Sequence, residues 1–207
     1  MQIIVWADEV IKKELQDKKL NANIQVTFAE SFADISDYTS ADAFFILKED
    51  INKEEINDFG GRSVFINSVI HTLKELELPK NFSRINGWPT FLTREVWEMA
   101  TGEEQAIKYI FEKLGWKYII VADEPGLVSA KIISMIINEA YFALGEEVST
   151  KEEIDLAMKL GTNYPYGPFE WSQKIGLKKV YSVLEKLSKT DSRYNIAPAM
   201  KNELTNN

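Results

Sequence analysis

The stretch from Asp123 to Glu170 decides the fold of this chain, and it reads DEPGLVSAKIISMIINEAYFALGEEVSTKEEIDLAMKLGTNYPYGPFE. Pro125 suits a first helical turn, because its fixed φ is helical and its missing N–H would have no partner there. The apolar residues from 128 to 144 cover too wide a face for a surface helix. The pattern therefore predicts a long, largely buried helix that ends at Gly145.

The residues that follow predict further helices. Thr150 and Glu153 have the spacing of a capping box, and Gly161 is expected to end the helix that they begin. Pro168 can start the next helix, and a last helix is predicted over residues 177–187. Residues 123–207 are therefore expected to form an all-α helical domain.

Residues 1–122 have a different pattern, in which short apolar runs alternate with amphipathic stretches. Such alternation predicts a parallel sheet covered by helices, and we expect a shortened Rossmann-like domain. The fold class is thus α/β, a Rossmann-like parallel sheet followed by an all-α helical domain. The predicted strands are 3–6, 24–28, 43–47, 63–66, 84–86 and 118–121, and the predicted helices are 8–19, 51–58, 70–77 and 102–114.

Composition excludes several classes of function. The chain has 32 acidic and 24 basic residues and a net charge of −8, which argues against binding to nucleic acid. It has no cysteine and one histidine, so neither a disulfide nor a Cys- or His-based metal cluster is expected. The first apolar run is only five residues long, far short of a membrane span. We expect a cytoplasmic protein that does not enter membranes.

The helical half resembles the start of the C-terminal domain of the NAD-dependent 3-hydroxyacyl-CoA dehydrogenases. That family has a D-x-P-G turn, a helix with NEA, then D-x-A-M-x-x-G and Y-P-x-G-P-F-E. The D-x-R-Y-x-x-x-P ending also resembles residues 191–198. The matching residues in the main stretch are Asp123, Pro125, Gly126, Asn138, Glu139, Ala140, Ile154, Asp155, Ala157, Met158, Gly161, Pro165, Gly167, Pro168, Phe169 and Glu170.

The resemblance implies an NAD-binding Rossmann domain, hydride exchange with a 3-hydroxyacyl-CoA, a place in fatty acid metabolism and a homodimer formed through the helical domain. The first half departs from the dinucleotide motif, since Trp6 to Glu9 follow the first strand and no glycine precedes Gly60. Glycines let the backbone approach a pyrophosphate, so we expect no NAD cofactor. Glu30 is a weak candidate for the acid that binds ribose, and a solvated surface Glu is the stronger interpretation.

The family's acid/base residues are also replaced. The segment Arg84-Ile85-Asn86-Gly87-Trp88-Pro89 resembles the one with the catalytic histidine, and it puts Pro89 at that position. Proline cannot transfer a proton. His71, the one histidine, lies near Asn67 and Ser68 at a non-catalytic position of the resemblance. A relocated base is one interpretation, because imidazole titrates near neutral pH, and a helix-surface or capping role is the stronger one.

Two further positions complete the comparison of catalytic residues. The family's serine falls on Val69 or Ile70, and its asparagine in the helical domain falls on Ala130. Glu98 is a vestigial candidate for the glutamate partner of the histidine, with Glu95 as a competing assignment.

Three hypotheses follow. The first is a catalytically degenerate relative of 3-hydroxyacyl-CoA dehydrogenase that acts as a dimeric scaffold or binds an acyl-CoA-like ligand. The second is an active oxidoreductase with a rearranged site. The third is a protein-interaction module with exposed Trp88, Trp97 and Trp116, although aromatic residues beside strands and on amphipathic helices are more often core.

Overall fold

The computed structural model describes residues 1–35, 38, 40–48 and 59–206. The chain divides into two compact units, Met1–Leu127 and Val128–Asn207, which are described separately. The predicted helix over residues 51–58 lies outside the described residues.

A seven-stranded sheet forms the center of the first unit, in the order β2-β1-β3-β4-β5-β6-β7. Neighbouring strands from β2 to β5 in this order are parallel, β5 and β6 are antiparallel, and β6 and β7 are parallel. The Rossmann-like α/β prediction is confirmed, but a fully parallel sheet is wrong. The strands are β1 Gln2–Trp6, β2 Gln25–Phe28, β3 Ala43–Ile46, β4 Ser63–Asn67, β5 Phe82–Ile85, β6 Val96–Thr101 and β7 Lys117–Ile120.

Strand β6 was not predicted from the sequence. Its burial alternates around Glu98, and the charged residues at 94, 95 and 98 hide the apolar pattern. Strand β6 runs antiparallel to β5, and β7 runs parallel to β6, so the last two strands of the sheet point opposite to the first five.

Helices cover both faces of this sheet. The helices are α1 Glu9–Gln16, α2 Phe32–Ile35, α3 Leu73–Leu76 and α4 Glu104–Leu114, with a 3₁₀ turn at Phe59–Gly61. One core contains Phe45, Phe65 and Phe111, together with buried residues of α1 and α4. The other contains Phe44 and Phe82. Burial on both faces explains why the central strands read as continuous apolar runs.

Five helices lie in the described residues of the second unit. They are α5 Ser129–Gly145, α6 Lys151–Thr162, α7 Pro168–Ile175, α8 Leu177–Ser188 and α9 Pro198–Asn206, with a 3₁₀ turn at Ser192–Tyr194. Helices α7, α8 and α9 pack around α5, whereas α6 packs against α7. None of the helices in the described part of the chain has the length and hydropathy needed to cross a membrane.

The structure adds three points to the predictions for this unit. Helix α5 buries Ile133, Ile137 and Tyr141, while Ile132 is 51% exposed. Helix α6 passes Gly161 and ends at Asn163, whose φ of 56° is the left-handed conformation that asparagine tolerates better than most residues. Helix α9 was not predicted. The capping box of Thr150 and Glu153 is confirmed.

Candidate functional site

The carboxyl end of β1 is where a dinucleotide would bind in a Rossmann-like fold. Here the Oδ1 atom of Asp8 accepts a hydrogen bond of 3.0 Å from the backbone N–H of Ile11 and caps α1. The Trp6 ring lies 5.2 Å from the Lys48 ammonium and 5.4 Å from the Phe32 ring. A carboxylate and an indole thus stand where a pyrophosphate needs donors and space, so these residues do not fit NAD in the usual mode.

Glu30 is exposed and follows the end of β2, as predicted. Its negative charge contributes to raising the pKa of Lys12, after the larger effect of the Lys12 hydrogen bond to Glu9. A ribose-binding role for Glu30 stays a prediction.

Asn67 ties three strand ends together. Its Nδ2 donates to the carbonyl groups of Leu47 and Gly87 at 3.1 and 3.2 Å, and its Oδ1 accepts from the Gly87 N–H at 3.0 Å. A Cβ atom at Gly87 would lie 2.6 Å from Asn67 Cγ, so this approach requires glycine. The buried amide is occupied by the backbone and has a structural role.

Arg84 is fully buried on β5 and was missed as a site residue. Its Nε donates to Asp123 Oδ1 at 2.5 Å, and its remaining nitrogens donate to carbonyl groups that include those of Ser68, Val69 and Glu124. Burial lowers the pKa of Arg84, while the charge of Asp123 opposes that shift. A lone arginine inside an apolar strand was the available signal, because a buried charge requires partners.

The Asp123 carboxylate also accepts from the first two backbone N–H groups of α3, at 3.2 and 3.3 Å. Asp123, the first residue of the stretch quoted above, therefore links β5 to α3. Its role is structural.

The segment around Pro89, where the resemblance places a histidine, is held by Glu14 of α1. The Glu14 carboxylate accepts from the backbone N–H groups of Thr90 and Leu92 at 2.6 and 3.2 Å. Thr90 has a φ of 79°, which is strained for a β-branched residue. Burial raises the pKa of Glu14, and the bonds from the loop oppose this shift. No short-range pattern links Glu14 to a loop 76 residues away.

Glu98 is half-buried on β6 and lies near Arg94. Burial lowers the pKa of Arg94, and attraction to Glu98 opposes that change. The Arg94 guanidinium also lies 4.1 Å from the center of the Phe91 ring. Glu98 therefore has a cation as a neighbour where the family has a histidine. Its competitor Glu95 is exposed and pairs with Lys117.

His71 is exposed and lies two residues before α3. Thr72 caps that helix, so the predicted capping role belongs to Thr72 rather than to the histidine. The Ser68 hydroxyl donates to the His71 carbonyl at 2.8 Å, which fixes the turn between β4 and α3.

The three tryptophans of the interaction-module hypothesis are buried. Trp97 and Trp116 belong to the sheet core, and the Lys18 ammonium covers both rings at 5.1 and 5.5 Å. An exposed patch of Trp88, Trp97 and Trp116 is therefore wrong, and the core interpretation is confirmed. In the described part of the chain, no group of three or more His, Cys, Asp or Glu residues could hold a metal ion.

In the second unit, Asp155 of α6 caps α7. Its carboxylate accepts from the backbone N–H groups of Phe169 and Glu170 at 2.8 and 3.1 Å. A Cβ atom on Gly167 would lie 2.3 Å from Asp155 Oδ1. The Glu170 side chain accepts from the Gly167 N–H at 3.0 Å and pairs with Lys159. The D-x-A-M-x-x-G and Y-P-x-G-P-F-E motifs thus interlock to build a helix–helix corner.

Asn138 of the NEA motif has a similar function. Its Nδ2 donates to the Asn195 carbonyl at 2.8 Å, and its Oδ1 accepts from the Ala197 N–H at 2.9 Å. The predicted tie between the long helix and a neighbouring loop is confirmed for Asn138. Glu139 is exposed.

Comparison with known proteins agrees with these motifs. Residues 126–207 match the family model described as 3-hydroxyacyl-CoA dehydrogenase, C-terminal domain. The chain is 40% identical over 79 residues to the 3-hydroxyadipyl-CoA dehydrogenase of Escherichia coli, covering 38% of this chain and 17% of that protein. It is 38% identical over 107 residues to a probable 3-hydroxybutyryl-CoA dehydrogenase of Bacillus subtilis, covering 50% of this chain and 37% of that protein. The matched part is thus well under half of either relative.

Solved structures share the fold of the chain. An (S)-3-hydroxybutyryl-CoA dehydrogenase from Ralstonia eutropha superposes with a TM-score of 0.68 at 20% identity, covering 99% of this chain and 93% of that one. A 3-hydroxybutyryl-CoA dehydrogenase from Escherichia coli gives 0.66 at 16% identity, covering 95% of this chain and 47% of that one. Residues 126–207 therefore form a domain that matches the C-terminal domain of the 3-hydroxyacyl-CoA dehydrogenases, and the chain shares the fold of these solved structures.

Proposed function

We propose that this chain is a catalytically degenerate member of the 3-hydroxyacyl-CoA dehydrogenase family, which acts as a dimeric scaffold or binds an acyl-CoA-type ligand. The observation that carries the proposal is how the polar groups at the carboxyl edge of the sheet are used. Asn67, Arg84 and Asp8 bind backbone groups with the atoms that catalysis or phosphate binding would need. Pro89 supplies no proton, so the family's histidine has no counterpart at this position.

Calorimetric titration with NADH and acetoacetyl-CoA, followed by a reduction assay on the same sample, tests this proposal. We expect no NADH binding and no hydride transfer. Binding of the CoA ester alone supports a ligand-binding scaffold, and silence toward both ligands favours a protein-interaction module.

The active-oxidoreductase alternative makes a distinct prediction for Glu98, the remaining candidate for the family's acid/base machinery. Turnover at an ordinary enzymatic rate that is lost in Glu98→Gln would establish a rearranged active site and refute degeneracy. The exposed Glu95→Gln is the matched control, because its carboxylate pairs with Lys117.

The proposed homodimer rests on an apolar face of α6. Leu156 and Leu160 lie one turn apart on this helix and are 54% and 78% exposed. Asp155 is the buried residue of α6 and caps α7, whereas both leucines are exposed. Two exposed leucines on one face favour a protein contact, and a second copy supplies an identical, self-complementary surface.

Sedimentation equilibrium tests the dimer. We expect Leu156→Glu to shift the mass toward the monomer, because the substitution places a charge in an apolar contact. Val10→Glu is the matched control, since Val10 is 56% exposed on α1 of the first unit. A monomeric wild type, or an equal effect of both variants, would contradict an interface on α6.

A further inference from the structure

Strand β7 forms one edge of the sheet in the first unit. It pairs with β6 on one side, and among the residues that the structure describes no strand pairs with it on the other. Apolar side chains reach the surface at this edge, since Ile119 and Ile120 are 48% and 38% exposed. An open edge of this kind is a template for pairing with another chain, and charges, proline or bulges are the usual protection. Lys117, the first residue of β7, is the one charged residue in the strand.

The backbone of β7 presents hydrogen-bonding groups to the open side. The Val121 N–H, just after the strand, donates to the Met99 carbonyl of β6 at 2.8 Å. Because the backbone groups of successive residues in a strand point to opposite sides, the N–H and C=O groups of Ile119 also face β6. Those of Tyr118 and Ile120 therefore face away from the sheet. Each copy of the chain thus offers two N–H donors and two carbonyl acceptors along this edge.

These groups fit a second copy of β7 in one antiparallel register. In an antiparallel pair, two opposite residues exchange both of their backbone hydrogen bonds, and the next opposite pair exchanges none. Placing Ile119 opposite Ile119 of the second copy puts Tyr118 opposite Ile120 in both directions. All of the edge groups of both copies are then hydrogen-bonded. Centring the pair on Tyr118 or on Ile120 instead would match one of these two residues with a residue outside β7.

The side chains suit the same register. The two Ile119 side chains meet across the two-fold axis in a pair without hydrogen bonds, where opposing side chains come closest. Lys117 lies at the start of β7, and Asp123 and Glu124 follow its end, so antiparallel copies bring opposite charges together at both ends of the pair. Lys117 also pairs with Glu95 of its own copy, but both side chains are exposed and such pairs are weak.

From these contacts, we propose that β7 is a self-association edge at which two copies of this chain join their sheets into one continuous sheet. A two-fold axis uses the same surface on both copies, and the pairing of Ile119 with itself meets that condition. The paired strands are short and bury less than a standard interface, so the association is weak and increases with protein concentration. This contact lies in the first unit and does not depend on the dimer proposed through α6.

Cysteine cross-linking tests the register, because the chain has no cysteine of its own. Opposite residues in a pair without hydrogen bonds have Cα atoms about 4.5 Å apart, which a disulfide spans. With oxidised glutathione, we expect Ile119→Cys to form at least tenfold more covalent dimer than Lys117→Cys. The latter is the matched control, because it lies two residues away in the same strand and opposite Val121 of the second copy. Equal cross-linking of the two variants, or none at position 119, would overturn the proposal.

Amide hydrogen exchange tests the edge in the wild-type chain. The N–H groups of Tyr118 and Ile120 should exchange at least tenfold more slowly as the protein concentration rises, whereas that of Val121 is already bonded to Met99 and should not change. Exchange at Tyr118 and Ile120 that does not depend on concentration would contradict pairing at this edge.

Charged variants separate this contact from other routes of association. Ile119→Lys should abolish the concentration dependence, because it sets two like charges opposite each other. Val10→Lys, at an exposed position on α1, is the control and should keep it. Leu156→Glu should also keep it, which distinguishes the edge contact from the dimer proposed through α6. Loss of the slowed exchange in Leu156→Glu would overturn an independent contact at β7.

Discussion

Substitution of Gly167 by alanine tests how the family motifs hold the second unit together. The new Cβ atom would lie 2.3 Å from Asp155 Oδ1 and 2.4 Å from Asp155 Cβ and Cγ, so the Asp155 side chain has to move. That movement breaks the bonds from the carboxylate to the N–H groups of Phe169 and Glu170. We expect the corner between α6 and α7 to loosen.

The magnitude follows from those two contacts. A hydrogen bond to a charged group contributes about 1.5 kcal/mol or more, and loss of a helix N-cap costs about 1 kcal/mol. Because the two estimates describe overlapping contacts and the site relaxes in part, we expect Gly167→Ala to reduce the free energy of unfolding by about 3 kcal/mol. The measurement is urea unfolding followed by far-UV circular dichroism, with amide exchange at residues 169 and 170 as the local probe.

Gly161→Ala is the matched control, since it is the same substitution within α6 at a position where a Cβ atom meets nothing within 4 Å. Alanine is favoured over glycine inside a helix, so this variant should gain about 0.5–1 kcal/mol. Opposite signs for the two glycines are the expected result. A Gly167→Ala protein as stable as wild type, with unchanged exchange at residues 169 and 170, would refute the interlocking of the motifs.

Three further predictions concern single side chains. Asn138→Ala should lower stability by about 2–3 kcal/mol in urea unfolding, because two hydrogen bonds to the backbone of residues 195–197 are lost. Thr90→Gly should raise it by about 1 kcal/mol, since relief of strain at a φ of 79° exceeds the entropic cost of glycine, and a loss would contradict the strain. Hydrogen bonds from Lys159 and from the Gly167 N–H lower the pKa of Glu170, so the stabilisation by its carboxylate is present above pH 4.5 and is lost as the pH falls further. Glu170→Gln should therefore make the free energy of unfolding depend less on pH below 4.5, and an unchanged pH dependence would contradict this prediction.

Local patterns predicted most elements of the fold. An apolar run located the strand at 43–47, and cap spacing located the helix that begins after Thr150. Each of these signals is contained within a few consecutive residues. Arg84 and Glu14 were missed as anchors, because their partners lie 39 and 76 residues away. Such contacts are set by the topology of the sheet, which one sequence does not specify. Strand β6 was hidden by its own charges.

The contacts of the motif residues explain why the helical motifs can persist whatever residues stand at the family's acid/base positions. Asp155 and Gly167 fit against each other within the helical unit, and a change in one has to be matched by the other. The positions of the acid/base residues lie in the other unit, at a loop fixed by Glu14 around Pro89. A substitution there leaves the corner between α6 and α7 intact, so catalysis can be lost without cost to the helical fold. The motifs of the helical unit therefore indicate how its helices pack. Evidence for or against catalysis has to come from the residues at the carboxyl ends of the strands.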